Sequence, residues 1–196
     1  MGDVGVNLTH YIMDPNVVTN LGLCIIAKDG NNMILNFDDD SNAITIPELD
    51  EHLPQCKDAK YLVTGFEIPI ETSLHAAKKG KELGMKVVLN PSPLDEGTDL
   101  GDLSYVDMLF INETEAKIML GLPTDRDFDL MQAARDIRDR YHSPNVIMTL
   151  GSDGSLAVTE EGEWETAVCP ANCIDQCGAG DGFQSAFIWC LTQGNP

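Results

Sequence analysis

Basic residues are scarce in this chain of 196 residues, which has 12 Lys and Arg against 32 Asp and Glu and a formal charge of −20. This acid excess repels nucleic-acid backbones and anionic membranes, so neither is predicted as a partner. An anionic ligand would have to be attracted by backbone N–H groups or by a metal ion.

Long apolar stretches are also missing. No run approaches the roughly 20 residues that a membrane-spanning helix needs. Residues 1–11 contain neither the basic region nor the apolar core of a signal peptide. The six cysteines are dispersed, and a chain of this length does not need disulfides to fold. These features predict a cytoplasmic protein with reduced thiols, and the 43% apolar content suffices for a packed core.

Spacings typical of metal sites are absent as well. Cys169, Cys173 and Cys177 follow one another at intervals of four, whereas zinc and iron–sulfur sites prefer closer pairs such as Cys-x-x-Cys. The acidic run at 38–40 lacks the spaced ligands and the glycine of a calcium loop, so we interpret it as a solvated turn.

Short apolar runs and amphipathic segments alternate along the rest of the chain. A hairpin is predicted where runs at 23–27 and 33–37 flank an Asp-Gly-Asn turn. Further strands are predicted at 59–64, 85–89, 108–111 and 146–150, and an antiparallel pair at 155–159 and 163–168. Helices are predicted from Pro47, over 69–83, 113–120 and 180–191, and across 130–141.

This alternation predicts an α/β fold with a mostly parallel sheet and helices on both faces. The composition changes near residue 42. We therefore expect a β segment at 1–42 and an α/β body at 43–196.

The sharpest motif is Gly178-Ala179-Gly180-Asp181, which leads directly into an apolar helical run. Such a turn exposes unpaired N–H groups at the positive end of a helix and can bind an anion. A carboxylate in the first turn, as at Asp181, is favoured there and can accept a proton from a hydroxyl. The alternative is a glycine-rich turn capped by Asp without a ligand, and the spacing alone does not separate the two.

The segment 175–183 resembles the C-terminal signature of the ribokinase family of carbohydrate kinases, the PfkB group. Four other stretches resemble family motifs in the same order: Phe66-Glu67-Ile68-Pro69, Asn90-Pro91-Ser92-Pro93, Asn112-Glu113-Thr114-Glu115 and Thr149-Leu150-Gly151-Ser152-Asp153-Gly154. The resemblance implies a ribokinase-like three-layer sheet with helices on both faces and a small β lid hairpin at 19–37.

The resemblance also implies a role for each matched residue. Asp181 matches the catalytic base, and the N–H groups of Gly178, Ala179 and Gly180 match the anion hole for the transferred phosphoryl group. The implied nucleotide contacts are Asn90, Thr149, Gly151 and Gly154. The implied sugar contacts are Glu67 and Asp181.

Two cations are implied in the same way. Asn112 and Glu115 match the motif that positions Mg²⁺, through water, while Asp175 and the backbone carbonyl of Cys177 match ligands of a monovalent cation such as K⁺. The implied reaction is ATP-dependent phosphorylation of the primary hydroxyl of D-ribose, which gives ribose 5-phosphate and ADP. Positioning and charge neutralisation are what such a transfer needs.

Several alternatives stay open. Asn112 and Glu115 also fit a simple helix cap, and 90–93 fits a strand stop. The chain also fits a kinase for another sugar or a nucleoside, or a truncated, non-catalytic nucleotide-binding relative. Gln176-Cys177 replaces the family's usual Thr-Thr, so roles of those hydroxyls do not carry over.

The resemblance covers a central portion of a ribokinase-like chain. The family's first strand with its sugar-binding Asp, its Gly-Gly segment and its closing segments have no match here. We therefore expect neighbouring strands to expose apolar surface, and the lone chain to associate or to be poorly soluble. In ribokinase the lid often pairs across a dimer, which implies a candidate homodimer through 19–37.

Overall fold

The computed structural model describes residues 1–27, 32–37, 43–123, 127–173 and 175–194. Near its start, β1 (Leu21–Ile26) pairs antiparallel with β2 (Asn32–Phe37), which confirms the predicted hairpin. The turn at 28–31, the acidic run at 38–40 and the boundary near residue 42 lie outside the described residues.

Within the described residues, the main sheet has six strands in sequence order. They are β3 (Tyr61–Gly65), β4 (Lys86–Asn90), β5 (Met108–Asn112), β6 (Val146–Thr149), β7 (Ser155–Val158) and β8 (Glu163–Thr166). The first four are parallel, and the last two continue the sheet antiparallel. The carboxyl ends of four strands therefore lie along one edge of the sheet.

The helices are α1 (Ile46–His52), α2 (Ile70–Glu82), α3 (Glu113–Leu120), α4 (Leu130–Tyr141) and α5 (Ala179–Thr192). Side chains cap the starts of α1 and α4: Thr45 forms a capping box with Glu48, and Asp129 accepts a hydrogen bond from the Gln132 N–H at 2.9 Å. No described helix is long and apolar enough to cross a bilayer.

Strand residues alternate between two cores, as a sheet covered on both faces requires. Val87 and Leu89 belong to the larger core, which also contains Ala116 of α3 and Ile137 of α4. Residues of the opposite face, such as Val88, pack under the aromatic side chains of α5. The α/β fold, with a mostly parallel sheet between helices on both faces, is confirmed.

One buried carboxylate joins two strands beneath α2. The Asp107 carboxylate accepts hydrogen bonds from the Val87 N–H at 2.8 Å, from Lys81 Nζ at 2.8 Å and from Lys86 Nζ at 3.2 Å. Burial acts to raise the pKa of Asp107, but these three donors outweigh burial and hold the pKa below its ordinary value.

Replacing Asp107 by Asn is expected to lower the free energy of unfolding near neutral pH by about 1–3 kcal/mol, since two lysines lose their buried acceptor. The carboxylate's contribution is complete above its unfolded pKa of about 3.9 and is lost as the pH falls through the lower folded value. The difference in free energy of unfolding between wild type and variant should therefore become smaller as the pH is lowered.

Urea unfolding of both proteins, from neutral pH down to the acid limit of folding, measures this gap. The control is Asp139→Asn, because the Asp139 side chain is 72% exposed on α4. An unchanged gap at low pH, or an equal loss in the control, would contradict the prediction.

Candidate active site

A cavity of about 580 Å³ lies at the carboxyl ends of the parallel strands. In the sheet register Gly65 pairs with Asn90, and Asn112 pairs with Thr149, so the ends of β3 to β6 line up beneath it. Open α/β sheets bind ligands at such an edge, beyond the strand ends.

Ten of the residues singled out in the sequence line this cavity. They are Glu67, Asn90, Asn112, Glu115, Thr149, Cys177, Gly178, Ala179, Gly180 and Asp181. The structure thus brings together residues from four strand ends and one helix start, although they are distant in the sequence. Their predicted roles stay predictions.

The start of α5 opens into the cavity. Gly178 is the N-cap, with φ of 75°, and a side-chain atom added at Gly178 or Gly180 would meet nothing within 4 Å. The Ala179 N–H donates to the Gln176 carbonyl at 3.1 Å, and the Gly182 N–H donates to the Gly178 carbonyl at 2.9 Å. Among the described residues, the N–H groups of Gly180 and Asp181 have no such partner.

These contacts refine the expected anion hole. The N–H of Ala179 is already used inside the turn, so the groups free to meet an anion are those of Gly180 and Asp181. We call the open helix start at 178–181 the glycine mouth. It is exposed rather than filled by packed side chains.

Asp175 lies just outside the lining of the cavity and shapes the loop before α5. Its Oδ1 accepts a hydrogen bond from the Cys177 N–H at 2.9 Å. Cys177 itself lines the cavity. Within the described residues, no group of three or more His, Cys, Asp or Glu side chains forms a metal cluster.

Asn112 and Glu115 form a complete capping box at the start of α3. The Asn112 Oδ1 accepts from the Glu115 N–H at 2.9 Å, and the Glu115 carboxylate accepts from the Asn112 N–H at 2.9 Å and from Asn112 Nδ2 at 3.0 Å. Asn112 and Glu115 therefore do cap α3, as the alternative interpretation of the sequence expected. The same two residues also line the cavity, so the cap does not exclude a second role.

The Glu115 carboxyl group is buried at this cavity, with 6% of the residue exposed. Burial raises its pKa, and hydrogen bonds from Asn112 and Ser92 offset only part of that effect. Both carboxylate oxygens keep lone pairs beyond these hydrogen bonds. The donor set therefore fits a Mg²⁺ ion held through water, as Mg²⁺ commonly keeps several waters.

The charged side chains that line the cavity, among the described residues, are all acidic. The carboxylates of Glu67, Glu115 and Asp181 face the cavity, and the described lining contains no Lys, Arg or His. A phosphate group could bind here only if backbone N–H groups and a cation supplied the attraction.

Ten other lining residues were given no role from the sequence, and four of them have contacts or positions that matter to the site. Ser92 contributes to the hydrogen bonding of Glu115. Gln184 is 7% exposed, and its Nε2 has no partner among the described residues. Gly65 allows a close approach, since a Cβ there would lie 2.8 Å from the Asn90 carbonyl oxygen. Ile34 of the hairpin also borders the cavity. Of these four residues, only Gln184 could have been predicted from the sequence, because it lies one helical turn after Asp181.

Gly151 and Gly154 are not part of the cavity lining. They belong to the tight turn after β6, where the Leu150 N–H donates to the Gly154 carbonyl at 2.9 Å. Thr149, just before this turn, does reach the cavity. The predicted nucleotide contacts at Gly151 and Gly154 stay predictions. Independently of any nucleotide, the local structure requires glycine at position 154.

Gly154→Ala is expected to destabilise the fold by at least about 2 kcal/mol, since strained backbone alone costs about 1–3 kcal/mol. Gly154 has φ of 105°, and an added Cβ would collide with the carbonyl oxygen of Thr166 in β8. Thermal or urea unfolding measures the loss.

The matched control is Gly97→Ala. Gly97 also has a positive φ, 83°, but nothing lies within 4 Å of its added Cβ. Equal losses at the two positions would show that the contact with β8 is unimportant.

The ribokinase-like architecture combines such a sheet, its two helix layers and a separate hairpin. The pfkB family carbohydrate kinase model matches residues 1–196, and the chain therefore belongs to this family.

Individual relatives are consistent with this. The chain is 29% identical to the deoxyribokinase of Salmonella typhi over 189 residues, which cover 96% of the chain and 61% of that protein. It is 34% identical to the ribokinase of Lactococcus lactis over 166 residues, 80% of the chain and 52% of that protein. The structure of Arabidopsis thaliana ribokinase complexed with ribose and ATP is similar with a TM-score of 0.72 at 25% identity, covering 92% of the chain and 59% of that protein. The chain thus spans little more than half the length of these relatives.

Proposed function

We propose that the chain provides the phosphoryl-transfer site of an ATP-dependent sugar kinase that phosphorylates the primary hydroxyl of D-ribose. One observation carries the proposal: a carboxylate, the glycine mouth and the Asn112–Glu115 pair meet around one cavity at the strand ends. The proposed setting is the cytoplasm, where ATP is available.

In the proposed mechanism, Asp181 holds the sugar hydroxyl and accepts its proton as the oxygen attacks the γ-phosphorus of ATP. The N–H groups of the glycine mouth stabilise the charge on the transferred group, and the bond to the leaving ADP oxygen breaks in line. Glu67 contacts a sugar hydroxyl, while Asn90 and Thr149 face the nucleotide.

The cations have defined places in this proposal. Asn112 and Glu115 would hold Mg²⁺ through water, and Mg²⁺ would neutralise phosphate charge that the acidic lining otherwise repels. Asp175 and the Cys177 carbonyl would hold K⁺. The hairpin would cover the cavity and, by the family resemblance, offers a surface for a homodimer.

The test is ADP release from Mg·ATP by the purified chain, measured with and without D-ribose. Ribose-dependent release at least tenfold above background supports the proposal. A parallel panel of deoxyribose, fructose and a nucleoside decides between ribose and the alternative substrates. Mg·ATP binding without sugar-dependent release would instead favour a non-catalytic nucleotide-binding relative.

A further inference from the structure

A glutamine interrupts the apolar face by which α5 packs on the sheet. Phe187, Ile188 and Leu191 lie on this face and pack into the core on that side of the sheet. Gln184 precedes Phe187 by three residues and Ile188 by four, so it belongs to the same face, one turn nearer to the glycine mouth. The pattern predicts an apolar residue at this position, and such local exceptions are typical of functional sites.

The amide of Gln184 is buried at the cavity without a partner. The residue is 7% exposed, and its Nε2 is enclosed and has no hydrogen-bond partner within the part of the chain that the structure describes. A buried amide without a partner costs stability, and native proteins retain few such groups. Because Gln184 also lines the cavity, a bound ligand can supply the missing partner. Rotation about the last side-chain bond turns the donor end of the amide toward such a ligand.

The position of Gln184 relative to Asp181 indicates which part of a ligand its amide would meet. Residues three apart on a helix are neighbours, with about 5–6 Å between their Cβ atoms. Side chains on a helix also lean toward its N-terminus, so the side chain of Gln184 leans toward Gly180 and Asp181. The amide therefore extends toward the end of the cavity at which, in the proposed mechanism, Asp181 holds the reacting hydroxyl.

The hydrogen-bonding groups of the cavity indicate what Gln184 adds. The lining carboxylates, when ionised, only accept hydrogen bonds, so they can bind sugar hydroxyls, which have a proton to donate. A sugar ring oxygen has no proton, and it can be bound only by a donor. Of the other carboxamides in the described lining, Asn112 and Gln176 are exposed and Asn90 is half-buried. Gln184 is the buried carboxamide among them, and it is the donor best shielded from water.

We propose that Gln184 is a specificity-determining residue of the sugar site and that its amide donates a hydrogen bond to the ring oxygen of the sugar. The inference rests on the proposed function, because that function places the reacting hydroxyl at Asp181. In the cyclic form of D-ribose that leaves the primary hydroxyl free, the ring oxygen is bonded to the carbon next to the one that bears this hydroxyl. A donor one helical turn from Asp181 is therefore suitably placed for the ring oxygen, and the site selects the cyclic sugar over its open chain.

The contact is tested by removing the donor and the acceptor separately and together. Gln184→Met keeps an unbranched side chain of similar size but has no donor for the ring oxygen. The carbocyclic analogue of D-ribose has a methylene group in place of the ring oxygen and keeps the hydroxyls. Calorimetric titration of both proteins with both sugars, in the presence of Mg·ADP, measures the dissociation constants without requiring turnover. The control is Gln193→Met, which alters an exposed glutamine at the end of the same helix.

We expect wild type to bind D-ribose at least about tenfold more tightly than the carbocyclic analogue, since the analogue leaves a buried donor unpaired. Gln184→Met should bind the two sugars within about threefold of each other, because it has no such contact to lose, and Gln193→Met should behave as wild type. Thermal unfolding without ligand gives a second readout. Gln184→Met should melt no lower than wild type, because it removes a buried amide that has no partner.

The outcomes separate this inference from the proposed function. Equal binding of the two sugars by wild type, or a preference that Gln184→Met retains, would overturn the inference even if the chain phosphorylates D-ribose. A lower melting temperature of Gln184→Met with an unchanged ratio of the two affinities would show a structural residue and overturn it as well. A preference for D-ribose that depends on Gln184, without ADP release from Mg·ATP, would support the inference and count against the kinase function. Absence of D-ribose binding would overturn both.

Discussion

Asp181→Asn should reduce ribose-dependent ADP release by about 10³-fold, within the range of about 10²–10⁴-fold that a positioned general base supplies. The amide keeps the size of the side chain but cannot accept the proton of the attacking hydroxyl. Asp181 lies in the first turn of α5, is exposed, and lines the cavity. Its replacement should therefore leave the fold intact.

The affinity for Mg·ATP, measured by calorimetry, should change less than threefold, because in the proposed mechanism the glycine mouth binds phosphate through backbone N–H groups that this substitution preserves. The matched control is Asp139→Asn, which removes one exposed carboxylate on α4 and should leave turnover unaltered. The comparison needs conditions in which the unsubstituted chain turns over measurably. Turnover by Asp181→Asn within tenfold of wild type would refute the assignment of the base.

The fold could be predicted from the sequence because its signals are local. Short apolar runs stopped by glycine or proline, and helices with apolar residues on one face, fix the order of elements. The predicted helix at 113–120 agrees with α3, which Gly121 ends in a left-handed conformation, and the helix predicted from Pro47 agrees with α1, which Thr45 caps. The order βαβ then places parallel strands side by side.

Part of the site follows from the same logic. Asn90, Asn112 and Thr149 each end a parallel strand, so they had to reach one edge of the sheet. The glycine mouth is local too, because small residues before an apolar helical run leave N–H groups exposed. The sequence does not show which of those N–H groups donate to carbonyls within the turn itself.

The features that the sequence could not reveal depend on tertiary packing. Gly154 resembles a nucleotide-binding glycine by motif, but its place beside Thr166 is fixed by the pairing of β7 with β8. No local pattern in the sequence encodes such a contact between two strands.

Substitutions in the first turn of α5 give the second prediction with a large expected effect, and Gly182 supplies the control for Gly180. Gly180 and Gly182 are both in the first turn of α5, and neither has any atom within 4 Å of an added Cβ. Two residues apart on an α-helix, they point about 200° away from each other. Gly180 lines the cavity and Gly182 does not.

Gly180→Val should therefore raise the dissociation constant of Mg·ATP at least tenfold and reduce turnover about 100-fold, since its branched side chain occupies the space in front of the free N–H groups. Gly182→Val should leave both quantities within twofold of wild type. Both variants should unfold within about 0.5 kcal/mol of wild type, because valine and glycine differ little in helix propensity and neither side chain meets a neighbour.

Calorimetric titration with Mg·ATP, ADP release and thermal unfolding of the two variants test this in parallel. Equal losses of nucleotide affinity at Gly180 and Gly182 would mean that the helix start tolerates no side chain, for reasons unrelated to phosphate. No loss at either position would mean that phosphate binds elsewhere. Only an asymmetric result, with stability unaltered, ties the anion to the face of α5 that Gly180 presents, beside the carboxylate of Asp181.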